Sequence, residues 1–281
     1  MKKILLLLGV CMMMGCNFAS NDLNTTGAKR LKEGDYSGAV EYFNKALNLN
    51  PDNSLSYFLR AVAKNMSGDS SGAMRDYDIA IDHINKNKDA KPLAVMAYLC
   101  RGELSSQLKD YDAAIEDFGR ALRIDPNKGS AAYDRAQARM STKNYDAAIN
   151  DFTYAISVAG NDTGGHTYLS MSYMSRGMAE FHKEQYGDAI TDIDSAIDIS
   201  PNNIKAWYNL GYIKYDHGDY AGAETDFDEV LKRNNKYARA YLYKGFIDIK
   251  AGKKETGYIE IKEAAGMGLI GGADSVKKYC K

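Results

Sequence analysis

Proline is scarce in this chain, with 4 in 281 residues. A β-rich fold with many turns would normally contain more. The scarcity, beside abundant Ala, Leu and Ile and 21 tyrosines, favours long helices. Cysteine is equally rare, and its four copies show no Cys-x-x-Cys and no Cys/His spacing suited to a metal. Net charge is close to balance, at -1, and no Lys/Arg-rich run supplies a local field, so nucleic acid is not an expected partner. Composition is otherwise that of an ordinary folded chain, with 45% hydrophobic and 26% charged residues, which argues against disorder.

Catalytic patterns are missing as well. There is no Gly-rich phosphate loop, no Gly-x-Ser-x-Gly and no His-Glu-x-x-His. Asp162-Thr163-Gly164 matches the three-residue aspartic-protease pattern, but it has no β context and no second copy, and reads as coincidence. His83, His166, His182 and His217 do not converge with carboxylates, and the acidic stretch DYAGAETDFDE lacks the alternating ligands and central glycine of a calcium loop. The expectation is a protein without enzymatic activity, cofactor or metal.

The one long apolar run, Ile4 to Met14, is too short to span a bilayer comfortably. In MKKILLLLGVCMMMGC it follows two lysines and precedes Gly15-Cys16, the layout of an export signal. Its end resembles a bacterial lipobox, in which the cysteine is acylated and becomes the new N-terminus. Met13 stands where Leu is commoner, and Cys11 fits less well behind bulky Val10. The alternative is an ordinary signal cut near Ala19. The lipoprotein reading makes residues 1–15 a signal peptide, Cys16 the lipidation site and 16–19 a short tether. It places the chain in the cell envelope, anchored to the membrane through lipid, with the outer membrane facing the periplasm as the expected site. Cys100 and Cys280 would remain as thiols, 180 residues apart in sequence.

What the chain has in quantity is one phrase. DYDAAIEDFGRALRIDPN, from Asp110 to Asn127, returns thirty-four residues later as NYDAAINDFTYAISVAG. Aligned on the Tyr and the small residues, seven blocks begin near Ser20, Ser54, Val95, Gly129, Ser170, Ile204 and Ala238, at spacings of 34, 41, 34, 41, 34 and 34 residues. Each block holds two apolar stretches of helical period split by a polar turn. Gly-Asp in EGDY, SGDS and HGDY suits a helix end followed by an N-cap, and Pro51, Pro126 and Pro201 close second helices. Ala114/Ala121, Ala148/Ala155 and Ala189/Ala196 recur on second helices, and Gly102, Ala136, Gly177, Gly211 and Gly245 on first helices. Between them Phe43, Tyr77, Phe118, Phe152 and Phe227 fill the gap. One helix pair cannot bury its apolar face alone, so stacked pairs complete the core. The two 41-residue blocks carry seven extra residues, in NKNKDAKPLA and GNDTGGHTYL. These read as tolerated loop length, with a longer flanking helix or a partner-contacting loop as alternatives.

Arg and Asp also recur, eight residues to either side of the turn, as Arg60/Asp76, Arg101/Asp117, Arg135/Asp151 and Arg176/Asp192. Residues mirrored about the turn of a helical hairpin lie at one height, so these read as structural ion pairs fixing its register. The competing reading makes them ligand-binding charges.

Trp207, Leu210-Gly211, Asp219-Tyr220, Ala223 and Phe227 together resemble the tetratricopeptide repeat (TPR) family. Other blocks use Tyr-x-x-Arg-Gly or a close variant in place of Trp-x-x-Leu-Gly. The first block is the weakest, with Thr26 and Arg30 at normally apolar places, and the last has Lys254 where Tyr is usual. The resemblance covers residues 20–265, in repeats near 20–53, 54–87, 95–128, 129–162, 170–203, 204–237 and 238–265, with 266–281 as a C-terminal capping helix. It implies an all-α, right-handed superhelical solenoid of about seven helix-turn-helix repeats. In this family first helices line a concave groove that commonly binds a peptide or a helix of another protein. Carried over, that face offers Met171, Met174, Met178 and Phe181 in the fifth block, Lys205, Tyr208, Tyr212 and Tyr215 in the sixth, and Arg239, Leu242, Phe246 and Ile249 in the seventh. The equivalent face of the third block, with Leu99, Glu103, Ser106 and Gln107, is more polar. Only Lys205 and Asn209 occupy places suited to the family's clamp for a C-terminal carboxylate, which argues against that mode. The expected role is an envelope scaffold binding a protein or peptide partner. A spacer subunit without a groove ligand and a glycan- or peptidoglycan-binding module are the alternatives.

Overall fold

The structure is a computed structural model, and it describes residues 18–86, 91–159 and 165–269. Among these residues the regular elements are fourteen helices, and no strand is present. They are α1 (Phe18–Lys32), α2 (Tyr36–Leu49), α3 (Ser54–Met66), α4 (Ser70–Lys86), α5 (Lys91–Gln107), α6 (Tyr111–Ile124) and α7 (Gly129–Ser141), then α8 (Tyr145–Val158), α9 (Gly165–Phe181), α10 (Tyr186–Ile199), α11 (Ile204–His217), α12 (Tyr220–Arg233), α13 (Ala238–Lys250) and α14 (Lys254–Gly266). The chain divides into two compact units, one ending at Thr142 and the other starting at Lys143. The first holds α1–α7 and the second α8–α14, so the division falls between the two helices of the fourth block.

Within each unit every helix packs on the next, and odd-numbered helices also touch. In the first unit α1 meets α3, α3 meets α5 and α5 meets α7; in the second α9 meets α11 and α11 meets α13. First helices of successive pairs thus stand side by side, which is the repeat arrangement the sequence implies. The extra length of the 41-residue blocks is partly helix. α5 and α9 start at Lys91 and Gly165, ahead of Val95 and Ser170, and run 17 residues against 13 or 14 in α3, α7, α11 and α13. That corrects the reading of the insertions as loop length, including Gly165, which opens a helix. α1 starts at Phe18, inside the expected tether. Cys16, Asp162-Thr163-Gly164, Cys280 and the expected cap from residue 270 onward lie outside the described residues.

Local chemistry sets the helix ends. Asp35, Asp69 and Asp219 accept hydrogen bonds from the backbone N–H of Gly38, Gly72 and Gly222 at 2.9, 2.8 and 2.9 Å, covering donors that a helix start leaves unsatisfied. Pro51, Pro126 and Pro201 each stand two residues past a second helix, where a ring cannot continue it. The turn inside each pair needs one residue in the left-handed region. Gly34, Gly68, Gly218 and Gly252 take it without a Cβ to object, while Lys109, Lys143 and Glu184 adopt it at φ near 60° in the third to fifth pairs.

The crossings are as close as the small residues allow. Phe43, Phe118, Phe152, Phe227 and Tyr77 are buried to within 1%, and each such side chain contributes roughly 1.5–3 kcal/mol of burial. A Cβ on Gly102 would lie 2.9 Å from the Phe118 ring, and one on Gly211 the same distance from Phe227. In the last pair two backbones meet directly, because a Cβ on Gly245 would lie 2.8 Å from the Gly257 carbonyl oxygen.

Candidate functional site

The charged residues of the repeated phrase sit at the hairpin crossings. Arg60 donates from Nε and Nη2 to the two carboxylate oxygens of Asp76, both at 2.7 Å. Arg101 does so to Asp117 at 2.8 and 2.6 Å, and Arg176 to Asp192 at 2.6 and 2.7 Å. Such two-point forks are stronger and more directional than a single contact. The third nitrogen, Nη1, reaches back to the preceding pair, donating to Asn44, Asp78 and Thr153 from Arg60, Arg101 and Arg176. Each arginine therefore ties a first helix both to its partner and to the previous second helix. Hydrogen bonding by the facing aspartate holds all three guanidiniums above their ordinary pKa. Arg135 is on α7, the last helix of the first unit, and Asp151, buried, is on α8, the first of the second.

The ladder changes in the last repeats, which the Arg/Asp spacing does not reveal. Leu210 replaces the arginine on α11, and Lys214, one turn on, meets Asp226 at 2.8 Å. Lys244 on α13 bonds Asp228 of α12 and lies 3.8 Å from Glu260 of α14. Glu180, one turn beyond Arg176, is 3.9 Å from its Nε. Glu180 and Glu260 each keep a buried Oε2 without a hydrogen-bond partner among the described residues. Burial, with Asp192 nearby, pushes the Glu180 carboxyl up to about 7. Burial also carries Glu260 to about 7 and Asp226 to about 6.

The expected groove residues lie on one face of α9, α11 and α13, and most of them are half-buried. Met174, Met178 and Phe181 pack against the core of Ile193, Leu210 and Ile213. Tyr208 and Tyr215 pack against Phe227 and Val230. Ring contacts run along the face: Phe181 meets Tyr212 at 5.4 Å, Tyr212 lies parallel to Tyr208 at 6.3 Å, and Phe246 borders Tyr243 at 6.0 Å. Their hub is Tyr243, which also touches Tyr208, Tyr212 and Tyr215 at 6.2, 5.4 and 5.1 Å. Tyr243 is absent from the sequence-derived stripe because it stands one position beside it, on the flank turned toward α11. Met171, Leu242 and Ile249 are half-buried on the same helices, and Lys205 and Arg239 are exposed. Trp207 is a fastener, with Nε1 donating to the Pro201 carbonyl at 2.9 Å and its ring covered by Arg233 at 4.8 Å.

The corresponding face of the first unit is different. Between α5, α6 and α7 lies a cleft of about 440 Å³ lined by Glu103, Ser106, Gln107, Tyr111, Phe118, Asp134, Gln137, Ala138 and Ser141. Its lining is acidic and amide-rich, in keeping with the more polar third block. Among the described residues no group of three or more His, Cys, Asp or Glu could hold a metal. Among them no helix is long and apolar enough to cross a membrane.

Comparison with known proteins agrees with this architecture. Tetratricopeptide repeat models match residues 21–53, 95–128 and 204–237, and a further TPR repeat model matches 177–218. The chain therefore carries tetratricopeptide repeats in both units. The crystal structure of a tetratricopeptide repeat protein from Parabacteroides merdae is similar, with 19% identity and a TM-score of 0.64 over 93% of this chain and 99% of that one. The C-terminal part of a TPR repeat-containing protein from Cytophaga hutchinsonii gives 15% identity and a TM-score of 0.69 over 86% and 94% of the two chains. YrrB, a TPR protein with an unusual peptide-binding site, gives 18% and 0.52 over 66% and 90%. At these identities the likeness is one of fold. No curated protein matches the chain.

Proposed function

We propose that this chain is a protein-interaction scaffold without enzymatic activity, held at the bacterial cell envelope through a lipidated Cys16, and that the face of α9, α11 and α13 receives a segment of a partner protein. One observation carries the binding reading. Methionine and aromatic side chains continue across three neighbouring first helices, and half-burial leaves part of each at the surface. Tyrosine offers rigid contact area with a polar tip and methionine adapts to irregular surfaces, a combination suited to recognition. The fold is one on which peptide recognition occurs, as in YrrB. The repeated charges are engaged in the ladder, which supports a structural role for them. Anchoring is supported by the lipobox-like Gly15-Cys16 alone.

Cross-linked native membranes supply the test. Cys16→Ala releases the chain from the membrane fraction. Tyr212→Ala with Met178→Ala leaves it folded but weakens partner recovery by about 2 kcal/mol, the level of an interface hot spot. Undiminished recovery from a folded double variant moves the binding surface elsewhere, and unchanged fractionation of Cys16→Ala removes the anchor.

A further inference from the structure

At the end of the second unit's tyrosine face where α11 and α13 begin, the exposed charges are cationic. Arg239 and Lys205 are exposed at the starts of α13 and α11, and Lys236 is exposed just ahead of α13. Neither Arg239 nor Lys205 has an ion-pair partner among the described residues. This sets Arg239 apart from Arg60, Arg101 and Arg176, whose guanidiniums are saturated. The Tyr208 ring lies 5.3 Å from Tyr237 and 6.2 Å from Tyr243. Burial raises all three hydroxyls above the ordinary tyrosine pKa, and Arg239 is the charged group that acts on every one of them, pulling the other way. Arg239 stands one turn before Tyr243 on α13 and Lys205 one turn before Tyr208 on α11, so the exposed cations share a side with two phenols that are hydrogen-bonded to each other. An anion held there meets a full positive charge and neutral O–H donors together, the pairing that gives charge-assisted hydrogen bonds their strength.

We infer that the corner formed by Arg239, Lys205, Tyr208, Tyr237 and Tyr243 is an anion subsite, and that the segment received by this face is an acidic peptide placing a side-chain carboxylate against Arg239 and an apolar side chain against the tyrosine rings. This rests on the groove reading above and adds the partner's charge to it. Complementarity of sign is the argument: the exposed charges of this corner, Arg239, Lys205 and Lys236, are all basic. An acidic segment is therefore drawn to the second unit's face.

The test uses the chain without its signal and a fluorescein-labelled, C-terminally amidated dodecapeptide of four Gly-Glu-Phe repeats, read by anisotropy. Counterparts carry Gln or Lys for Glu. The Glu peptide binds at least tenfold more tightly than the Gln peptide, the Lys peptide binds least, and the Glu affinity falls as salt rises. Arg239→Gln weakens the Glu peptide at least tenfold with an unchanged Tm. Equal binding of Glu and Gln peptides, no binding of either, or indifference to Arg239→Gln overturns the inference. So does retention on phosphatidylserine vesicles as strong as that by the peptide, which would make the basic corner a lipid contact. The groove reading is separated by Tyr212→Ala with Met178→Ala. If only the acidic preference is wrong, Glu and Gln peptides bind alike and this variant weakens both. If only the stripe is wrong, Arg239→Gln matters and this variant does not.

Discussion

Asp76 and Asp117 of the first unit each face a guanidinium that occupies both carboxylate oxygens. In the second unit Asp192 is held that way, whereas at the following rungs Asp226 and Glu260 face a lysine. The planar fork of arginine matches the two oxygens of a carboxylate, whereas an ammonium is a point charge that serves one oxygen well. The difference shows in the acids. Burial pushes Asp226 and Glu260 up to about 6 and 7, so this part of the second unit's ladder draws protons where the fork would neutralise charge. One position in one repeated fold thus holds an acid by two routes.

The contrast extends to the crossings, where the largest effect is expected. A Cβ on Gly245 meets the Gly257 carbonyl oxygen at 2.8 Å and Ile261 at 2.7 Å, and backbone cannot swing aside. Gly245→Ala should cost about 3 kcal/mol in urea unfolding, the upper end for overpacking. Gly102→Ala in the first unit faces the Phe118 ring, which can shift, and should cost about 1–2 kcal/mol. A greater cost at Gly102 would reverse the assignment of the rigid crossing to the second unit.

Next come the rungs. Asp117→Ala takes from Arg101, whose side chain is 19% exposed, its two-point partner and leaves it Asp78 and the Tyr98 ring at 5.8 Å. Losing one partner of a buried pair costs roughly 3–5 kcal/mol, and the remaining contacts and partial exposure reduce that to about 2. Adding Arg101→Leu should recover part of the loss. Asp226→Ala should cost less than about 1 kcal/mol, because Lys214 can extend into water and the lost acid is itself held against its charged form. Equal costs would mean that fork and point charge do the same job.

The smallest effect is on pH. Folding raises the Glu180 and Glu260 carboxyls from the ordinary 4.5 to about 7, so the folded chain binds protons the unfolded chain does not. Their contribution is complete below about 4.5 and is lost as pH rises through about 7. Amides of α10 and α14 should therefore be better protected at pH 5.5 than at pH 8, after correction for intrinsic exchange, by about 1 kcal/mol. Glu180→Gln with Glu260→Gln should abolish the difference, and a slope of the opposite sign would show that these acids are ionised and paired.

Much of this fold is legible before any coordinates. The block spacing, Asp35, Asp69 and Asp219 as caps and Pro51, Pro126 and Pro201 as stops each act within a few residues, so the chain itself records them. Arg60/Asp76, Arg101/Asp117 and Arg176/Asp192 are legible too, because a hairpin turn fixes which residues share a height. The lysine rungs are not, since Leu210 breaks the pattern and Lys214 serves Asp226 from the next turn. Nor is the hub role of Tyr243. Helical period marks the side a residue occupies, but it does not say how far the adjoining helix leans over that side. Half-burial of Met178 and Tyr212 is settled by that lean. The insertions mislead for a related reason, because a polar run such as NKNKDAKP reads as loop while its end already belongs to α5.

The backward-reaching nitrogen of the ladder bears on how such a gene can grow. Asn44, Asp78, Thr153 and Asp228 hold one position of the repeat, and each accepts from the cation of the block after it. A block copied in tandem by unequal crossing-over would thus arrive carrying both halves of its own seam, an acceptor facing forward and a donor facing back. Gly119 stands at the same position without a side chain, and Arg135 Nη1 lies 3.5 Å from where its Cβ would be. A tandem copy of that block would set its own Arg101 against this glycine instead of an acceptor side chain, so the copied seam would lack its backward contact there.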